Sequence, residues 1–192
     1  MPEPVAFIFM GRSAAGKGTQ AKLLIEHLGQ DNVLYIEPGN SLRELVNQTN
    51  HTARLAKAAM ERGERSASFL AVWAWSNLLV NNFRGDQHLV FDGAARSLIE
   101  AEALDTALDL YGINKREIVF LEVNRAVSLE RLAGRGRIDD RDTTGNEKRL
   151  DWFDRDVVPV LDYYHSQPRY RFTAIAGDQS VAAIATEIAR LV

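Results

Sequence analysis

Lys17 stands behind the run Gly11-Arg12-Ser13-Ala14-Ala15-Gly16 and ahead of Gly18 and Thr19. The spacing G-x-x-x-x-G-K sets Gly16 and Lys17 where a phosphate-binding loop needs them. Gly16 lets backbone N–H groups turn inward around a phosphate, a following helix adds the partial positive charge of its N-terminus, and the Lys17 ammonium can bridge the outer phosphates. A tight glycine turn with a solvated lysine would show the same letters, so the flanks decide. Val5–Met10 is a short apolar run suited to a buried parallel strand, and Ala21, Leu24, Ile25 and Leu28 recur at helical spacing up to Gly29. Strand, loop and helix in that order favour phosphate binding.

Two further sets of residues fit the same chemistry. Asp92 closes the apolar run Leu89–Phe91, and in a parallel sheet its carboxylate would face the phosphate loop and hold magnesium, directly or through water. Without the loop, Asp92 before Gly93 would read as a strand-end turn. Arg43, Arg96, Arg131, Arg135, Arg137 and Arg149 all fall at predicted loop edges or helix termini. A planar guanidinium grips phosphate oxygens in pairs, and phosphoryl transfer needs several such clamps because charge spreads over the moving group. His27, His51, His88 and His165 are scattered and read as surface or packing residues.

The elements that must position these groups alternate along the chain. Strands are expected at Val5–Met10, Val33–Ile36, Leu89–Phe91, Ile118–Val123 and Tyr170–Ile175, with helical patterns between them. Glu37–Ser41 reads as a turn feeding a helix through Arg43, Leu45 and Val46, and a second helix spans about Thr52 to Arg62. From Ser66 to Phe83 the spacing of Phe69, Val72, Trp73, Leu79 and Val80 predicts a helix with Trp73 in the core. Ser97 can cap a helix running to Tyr111, and another follows from about Ala126 to Ala133. A long helix carries Leu150, Phe153, Val157, Leu161 and Tyr164 on one face, with a kink expected at Pro159. The alternation predicts a five-stranded parallel α/β sheet covered on both faces, with ligands at the carboxyl ends of its strands.

Composition excludes several alternatives. The 192 residues carry 23 Lys and Arg against 26 Asp and Glu, a net charge of −3 with no general pull toward nucleic acid or anionic membrane. No cysteine is present, which rules out disulfides, thiol catalysis and cysteine-ligated zinc. The apolar run near the N-terminus is too short for a signal peptide or a membrane span. A cytoplasmic monomer with no constitutive partner is the expectation.

The motifs together resemble the adenylate kinases and related nucleoside monophosphate kinases. G-R-S-A-A-G-K-G-T-Q-A resembles their G-x-P-G-x-G-K-G-T-Q loop, F-D-G-A-A-R resembles D-G-[FY]-P-R, and R-I-D-D…K-R-L with V-V-P-V-L-D-Y-Y resembles their lid and the helix after it. The likeness covers nearly the whole chain and implies one P-loop three-layer domain over 1–192. Its core would be 1–36, 66–134 and 143–192, with a helical monophosphate-binding insertion at 37–65 and a very short lid at 135–142. Carried over by residue, Lys17 and the amides of Ala14, Ala15, Gly16, Gly18 and Thr19 would hold the ATP phosphates. Arg131 and Arg135 would act from the ATP side and Gly177 would lie by the ATP base. Pro38, Gly39, Arg43, Gly93, Arg96 and Glu100 would form the acceptor site, with Arg137 and Arg149 bridging the phosphoryl group. The implied reaction moves the γ-phosphoryl group of Mg-ATP to a nucleoside monophosphate, AMP by default. A monophosphate is already an oxyanion, so positioning and charge neutralisation suffice without a general base.

Departures from the family pattern gather at the loop and the acceptor site. Ser13-Ala14 replaces Pro-Gly in the loop, Glu37-Pro38-Gly39-Asn40 replaces Ser-Thr-Gly-Asp, and Ala94-Ala95 replaces the residues before the arginine. Glu100 stands where the family has a glutamine that reads adenine, and an ionised carboxylate only accepts hydrogen bonds. Another monophosphate (GMP, UMP, CMP or a deoxy form) is the alternative acceptor, and a weakly catalytic nucleotide-binding regulator the alternative class. If Ala14 needs a positive φ, its Cβ costs roughly 1–2 kcal/mol.

Overall fold

The computed structural model describes residues 3–135 and 143–192. Five strands form one parallel sheet: β1 (Val5–Gly11), β2 (Val33–Ile36), β3 (His88–Asp92), β4 (Lys115–Glu122) and β5 (Tyr170–Ala176). Their spatial order is β2-β3-β1-β4-β5, all parallel, as the alternating pattern predicts.

β1 is buried on both faces because helices cover both sides of the sheet. Successive side chains point to opposite faces. Ala6, Ile8 and Met10 join one core with Leu89, Phe91 and Ile118, whereas Val5, Phe7 and Phe9 join a second with Val90, Val119 and Ile175. The second core is closed by α1 (Lys17–Leu28) and α9 (Val181–Ala189), through Ala21, Leu24, Ile184 and Ile188. The first is closed by α4 (Ser68–Asn82), α5 (Leu98–Leu110) and α8 (Val158–Ser166), through Trp75, Leu104 and Tyr164. Each large apolar side chain so buried contributes roughly 1.5–3 kcal/mol. At the start of β1, His88 is a packing residue, its Nδ1 accepting the Val5 amide at 3.2 Å.

Between β2 and β3 the chain forms α2 (Pro38–Leu45) and α3 (His51–Glu61) before entering α4. The segment expected as a turn is already helical at Pro38, since proline suits a first helical position where no N–H partner is needed. The Asn50 side chain caps α3 by accepting from the Ala53 amide at 2.8 Å, and Gly63 ends it at φ 69°. The face of α4 differs from expectation. Leu70, Ala74, Trp75 and Leu79 point inward, while Trp73 is 42% and Phe69 68% exposed. The helix is apolar nearly all round, so spacing cannot fix which face meets the sheet.

After β4 come α6 (Arg125–Arg135), α7 (Thr143–Trp152), a π-helical turn at Phe153–Val157, and α8. Where a kink is expected at Pro159, the chain passes, just ahead of the proline, through this π turn, whose wider ring leaves room where the proline ring would meet the preceding turn.

Candidate functional site

The carboxyl ends of β1 and β3 lie side by side, with Phe9 opposite Asp92, so the loop after β1 and the Asp92 carboxylate start from one edge of the sheet. In parallel sheets of this kind that edge, where connections diverge, is the usual ligand site. The loop's shape follows from close packing. Gly11 has φ 145° and a Cβ there would lie 2.6 Å from the Leu121 carbonyl oxygen, so only glycine fits. Gly16, at φ 99°, is the N-cap of α1 and supplies no side-chain cap; the first turn holds no acidic residue. The positive end of α1 lies at the cleft, with no acidic residue of its own first turn beside it. Lys17 curls back over the loop, its Nζ donating to the Gly11 and Arg12 carbonyls at 2.8 and 2.9 Å. Ser128 on α6 donates to the Ser13 carbonyl, pinning the loop's outer side.

Ala14 has φ 61°, a left-handed conformation that glycine takes without strain and a residue with a Cβ does not. Ala14→Gly should remove roughly 1–2 kcal/mol of strain, partly offset by the greater entropy of an unfolded glycine. We expect the thermal midpoint to rise by about 2–4 °C. A fall on calorimetry would show the Ala14 methyl to be a packing group.

Gly18, in place of Ser or Thr, also has a steric reason. A Cβ there would stand 2.9 Å from Asp92 Oδ2, so the carboxylate abuts the loop backbone beside Lys17. Tyr35 donates to the same oxygen at 3.0 Å. Burial pushes the Tyr35 phenol far up, and the charges of Asp92 and Glu37 push it further, so it stays a proton donor. No group of three His, Cys, Asp or Glu side chains gathers among the described residues. A lone oriented carboxylate fits magnesium, which takes most of its ligands from water and phosphate oxygens.

Across the cleft, a cluster of guanidinium groups converges. Arg96 lies over Gly93, φ 75°, where any Cβ would collide with its Nη2 at 2.2 Å. Burial is the main force against the Arg96 charge, and Arg149 and Arg43 oppose it too, while Glu100 and Asp92 support it. Arg43 is braced by Glu37 Oε1 at 2.9 Å and by Asn40 Oδ1. Arg43, Arg96 and Arg149 thus share one wall of the cleft with the carboxylates of Glu37, Asp92 and Glu100. Ala95, just before Arg96, has φ 54°, which proline cannot adopt, so this backbone could not accept the proline of the family pattern.

One cleft of about 950 Å³ contains most of the expected site. Ala14, Gly16, Lys17, Gly18, Thr19 and Arg131 line it on the loop side, and Pro38, Gly39, Arg43, Asp92, Gly93, Arg96, Glu100 and Arg149 on the other. Ala15 and Gly177 lie behind the wall. Ala15 is buried, and Gly177 offers its carbonyl to Arg131 Nη2 at 3.0 Å in a space too tight for a Cβ. Arg137, the span 136–142 and the Arg135 side chain lie outside the described residues.

Sequence reasoning missed Tyr35, Arg65, Phe69 and Trp152, which also line the cleft. Phe69 and Leu55, 68% and 60% exposed, form its apolar wall with Leu42 and Met60. Such residues look like core by spacing alone. Glu100, expected to meet the acceptor base, is only 2% exposed, with its oxygens turned to Arg65, Ser97 and the Arg96 amide.

Comparison with known proteins agrees with this geometry. The family model for adenylate kinase matches residues 9–169. The chain is 32% identical over 180 residues to an adenylate kinase of Prochlorococcus marinus, covering 94% of this chain and 95% of that one. It is 33% identical over 182 residues to one from Synechococcus, covering 94% of each. Against an adenylate kinase of Phenylobacterium zucineum the identity is 32% over 185 residues, with 94% of each chain covered. The chain belongs to the adenylate kinase family, phosphotransferases whose acceptor is itself a phosphate group.

Proposed function

We propose that the protein transfers the γ-phosphoryl group of Mg-ATP to a nucleoside monophosphate, with AMP as the first acceptor to test. The observation that carries this reading is the shared cleft, with the Lys17 loop on one side and Arg43, Arg96 and Arg149 on the other. The loop amides and Lys17 would hold the ATP phosphates, with Arg131 beside them. Segment 37–65 would be the acceptor-binding insertion, in which Pro38, Gly39 and Arg43 face the monophosphate. Arg96 would clamp the acceptor phosphate through paired N–H bonds, and Arg149 would share the moving group's charge. Leu42, Leu55, Met60 and Phe69 would enclose the base. Magnesium, when bound with ATP, would neutralise phosphate charge, and Asp92, oriented by Tyr35, is the residue that would hold it. Closure of 135–142 over the cleft, with Arg135 and Arg137, would exclude water.

A different monophosphate acceptor is favoured by one observation: Pro38 has no hydroxyl and Glu100 faces inward, so neither offers the base an amide or hydroxyl. No helix among the described residues is long and apolar enough to cross a membrane.

ADP formation from Mg-ATP, measured with AMP, GMP, CMP, UMP and deoxy acceptors against a no-acceptor blank, tests the proposal. Fast transfer to one monophosphate is the expected result. ATP binding without transfer to any acceptor would overturn it in favour of a regulator.

A further inference from the structure

Arg96 sits on a peptide that two other side chains hold. Glu100, in the first turn of α5, accepts the Arg96 backbone N–H on Oε2 at 3.0 Å. Its Oε1 accepts from the Ser97 hydroxyl at 3.0 Å and from Arg65 Nη1 at 2.7 Å. Arg65, in the stretch between α3 and α4, also donates to Ser68 Oγ at 3.0 Å, and its Nε stands 3.4 Å from Asp156 Oδ2 in the π turn. One carboxylate thereby joins the end of the acceptor segment, the start of α5 and the peptide bearing Arg96.

The energetics explain why two residues are needed. A carboxylate 2% exposed costs several kcal/mol unless it is paired and hydrogen-bonded. Arg65 supplies the countercharge, and the Ser97 hydroxyl and Arg96 amide supply the remaining bonds. The peptide they hold needs holding, because Ala95 before it is buried in the left-handed region that residues with a Cβ avoid. A slack peptide there would let the Arg96 guanidinium swing, and misplacement by about 1 Å can cost on the order of 100-fold in rate.

We infer that Glu100 and Arg65 are positioning residues for the acceptor clamp, Glu100 fixing the Arg96 peptide and Arg65 compensating the buried carboxylate. This rests on the reading of Arg96 as the residue that grips the acceptor phosphate. Neither side chain needs to touch the acceptor for the effect.

The test uses the full-length chain and calorimetric titration with ATP alone, then with the preferred monophosphate of the panel alone, followed by steady-state kinetics. Arg65→Met alone would strand the carboxylate and threaten folding, so paired variants are used. Arg65→Met/Glu100→Leu removes both charges, keeps the volume filled and leaves the Arg96 N–H without an acceptor. Its monophosphate Kd and KM should rise at least tenfold, with the ATP Kd within twofold of the parent. Arg65→Met/Glu100→Gln restores an uncharged acceptor for that N–H and should recover most of the loss. Unchanged monophosphate affinity in the first variant, parallel loss of ATP affinity, or no recovery in the second would overturn the inference. If the Leu variant does not fold, the Gln variant and Arg65→Lys decide by the same split between the two ligands. A parent protein that binds ATP but no monophosphate would instead fail the acceptor-site reading, and the inference with it.

Discussion

Replacing Arg96 by alanine should lower kcat/KM for the acceptor about a thousandfold while the ATP Kd stays within about twofold. The size follows from the bonds lost. A charge-assisted hydrogen bond in a desolvated site contributes about 1.5–3 kcal/mol, a guanidinium makes two of them to a phosphate, and each 1.36 kcal/mol is a factor of ten in rate. The neighbours of Arg96 sharpen the expectation. Burial is the main force against its charge, and Glu100 and Asp92 support that charge more than Arg149 and Arg43 oppose it, so in the free protein the guanidinium bears a desolvation cost that an arriving phosphate would offset. Removing Arg96 should therefore leave the thermal midpoint without nucleotide unchanged or raised, unlike removal of a packing residue. Arg96→Lys should fall between parent and alanine, since a point charge cannot reproduce the planar fork. Acceptor kinetics within tenfold of the parent, or ATP affinity falling in step, would sink the assigned role. Inhibition by each nucleotide's product, measured on the same variants, would locate the loss on one side of the cleft.

What the sequence made legible was what lies close along the chain. The loop from Gly11 to Thr19 is contiguous, and the left-handed backbone at Ala14 is a local matter, whereas the Leu121 carbonyl that holds position 11 to glycine comes from β4. Asp92 was readable because strand ends in a parallel sheet share an edge. The Arg65–Glu100 pair spans 35 residues, and nothing local to either residue announces the other. The exposed wall of Phe69 and Leu55 was hidden for a different reason: apolar residues lining a cleft and apolar residues filling a core follow the same helical spacing. Trp73 was misplaced by that ambiguity, since Trp75 two residues on occupies the core against Phe91.

The second large effect lies at the opposite end of the sheet, and it should appear in stability with ligand binding unchanged. Asp105 on α5 is 4% exposed and accepts from the Tyr163 hydroxyl at 2.5 Å, from the Tyr170 hydroxyl and from Arg169 Nη2. Arg116 Nη1 stands 3.9 Å away, and Arg116 Nη2 pairs with Asp109. These groups belong to α5, α8 and the amino ends of β4 and β5, so one carboxylate joins four elements away from the loop. Burial pushes the Tyr170 phenol up and the bond to Asp105 adds to it, which keeps that hydroxyl a donor. Asp105→Ala would leave the Tyr170 hydroxyl buried without its acceptor and take the countercharge from beside Arg116 and Arg169, and breaking a buried charged network from one side costs about 3–5 kcal/mol. For a chain of this length each kcal/mol moves the midpoint by about 2–4 °C, so a fall of roughly 10 °C is expected in calorimetry. Asp105→Asn should do less harm because one carbonyl oxygen still accepts, though its amide faces donors. At 15 °C, where both variants remain folded, titration with ATP should match the parent. A midpoint within 2 °C of the parent would mean that water replaces the carboxylate at little cost, and weakened ATP binding would mean that the two ends of the sheet are coupled.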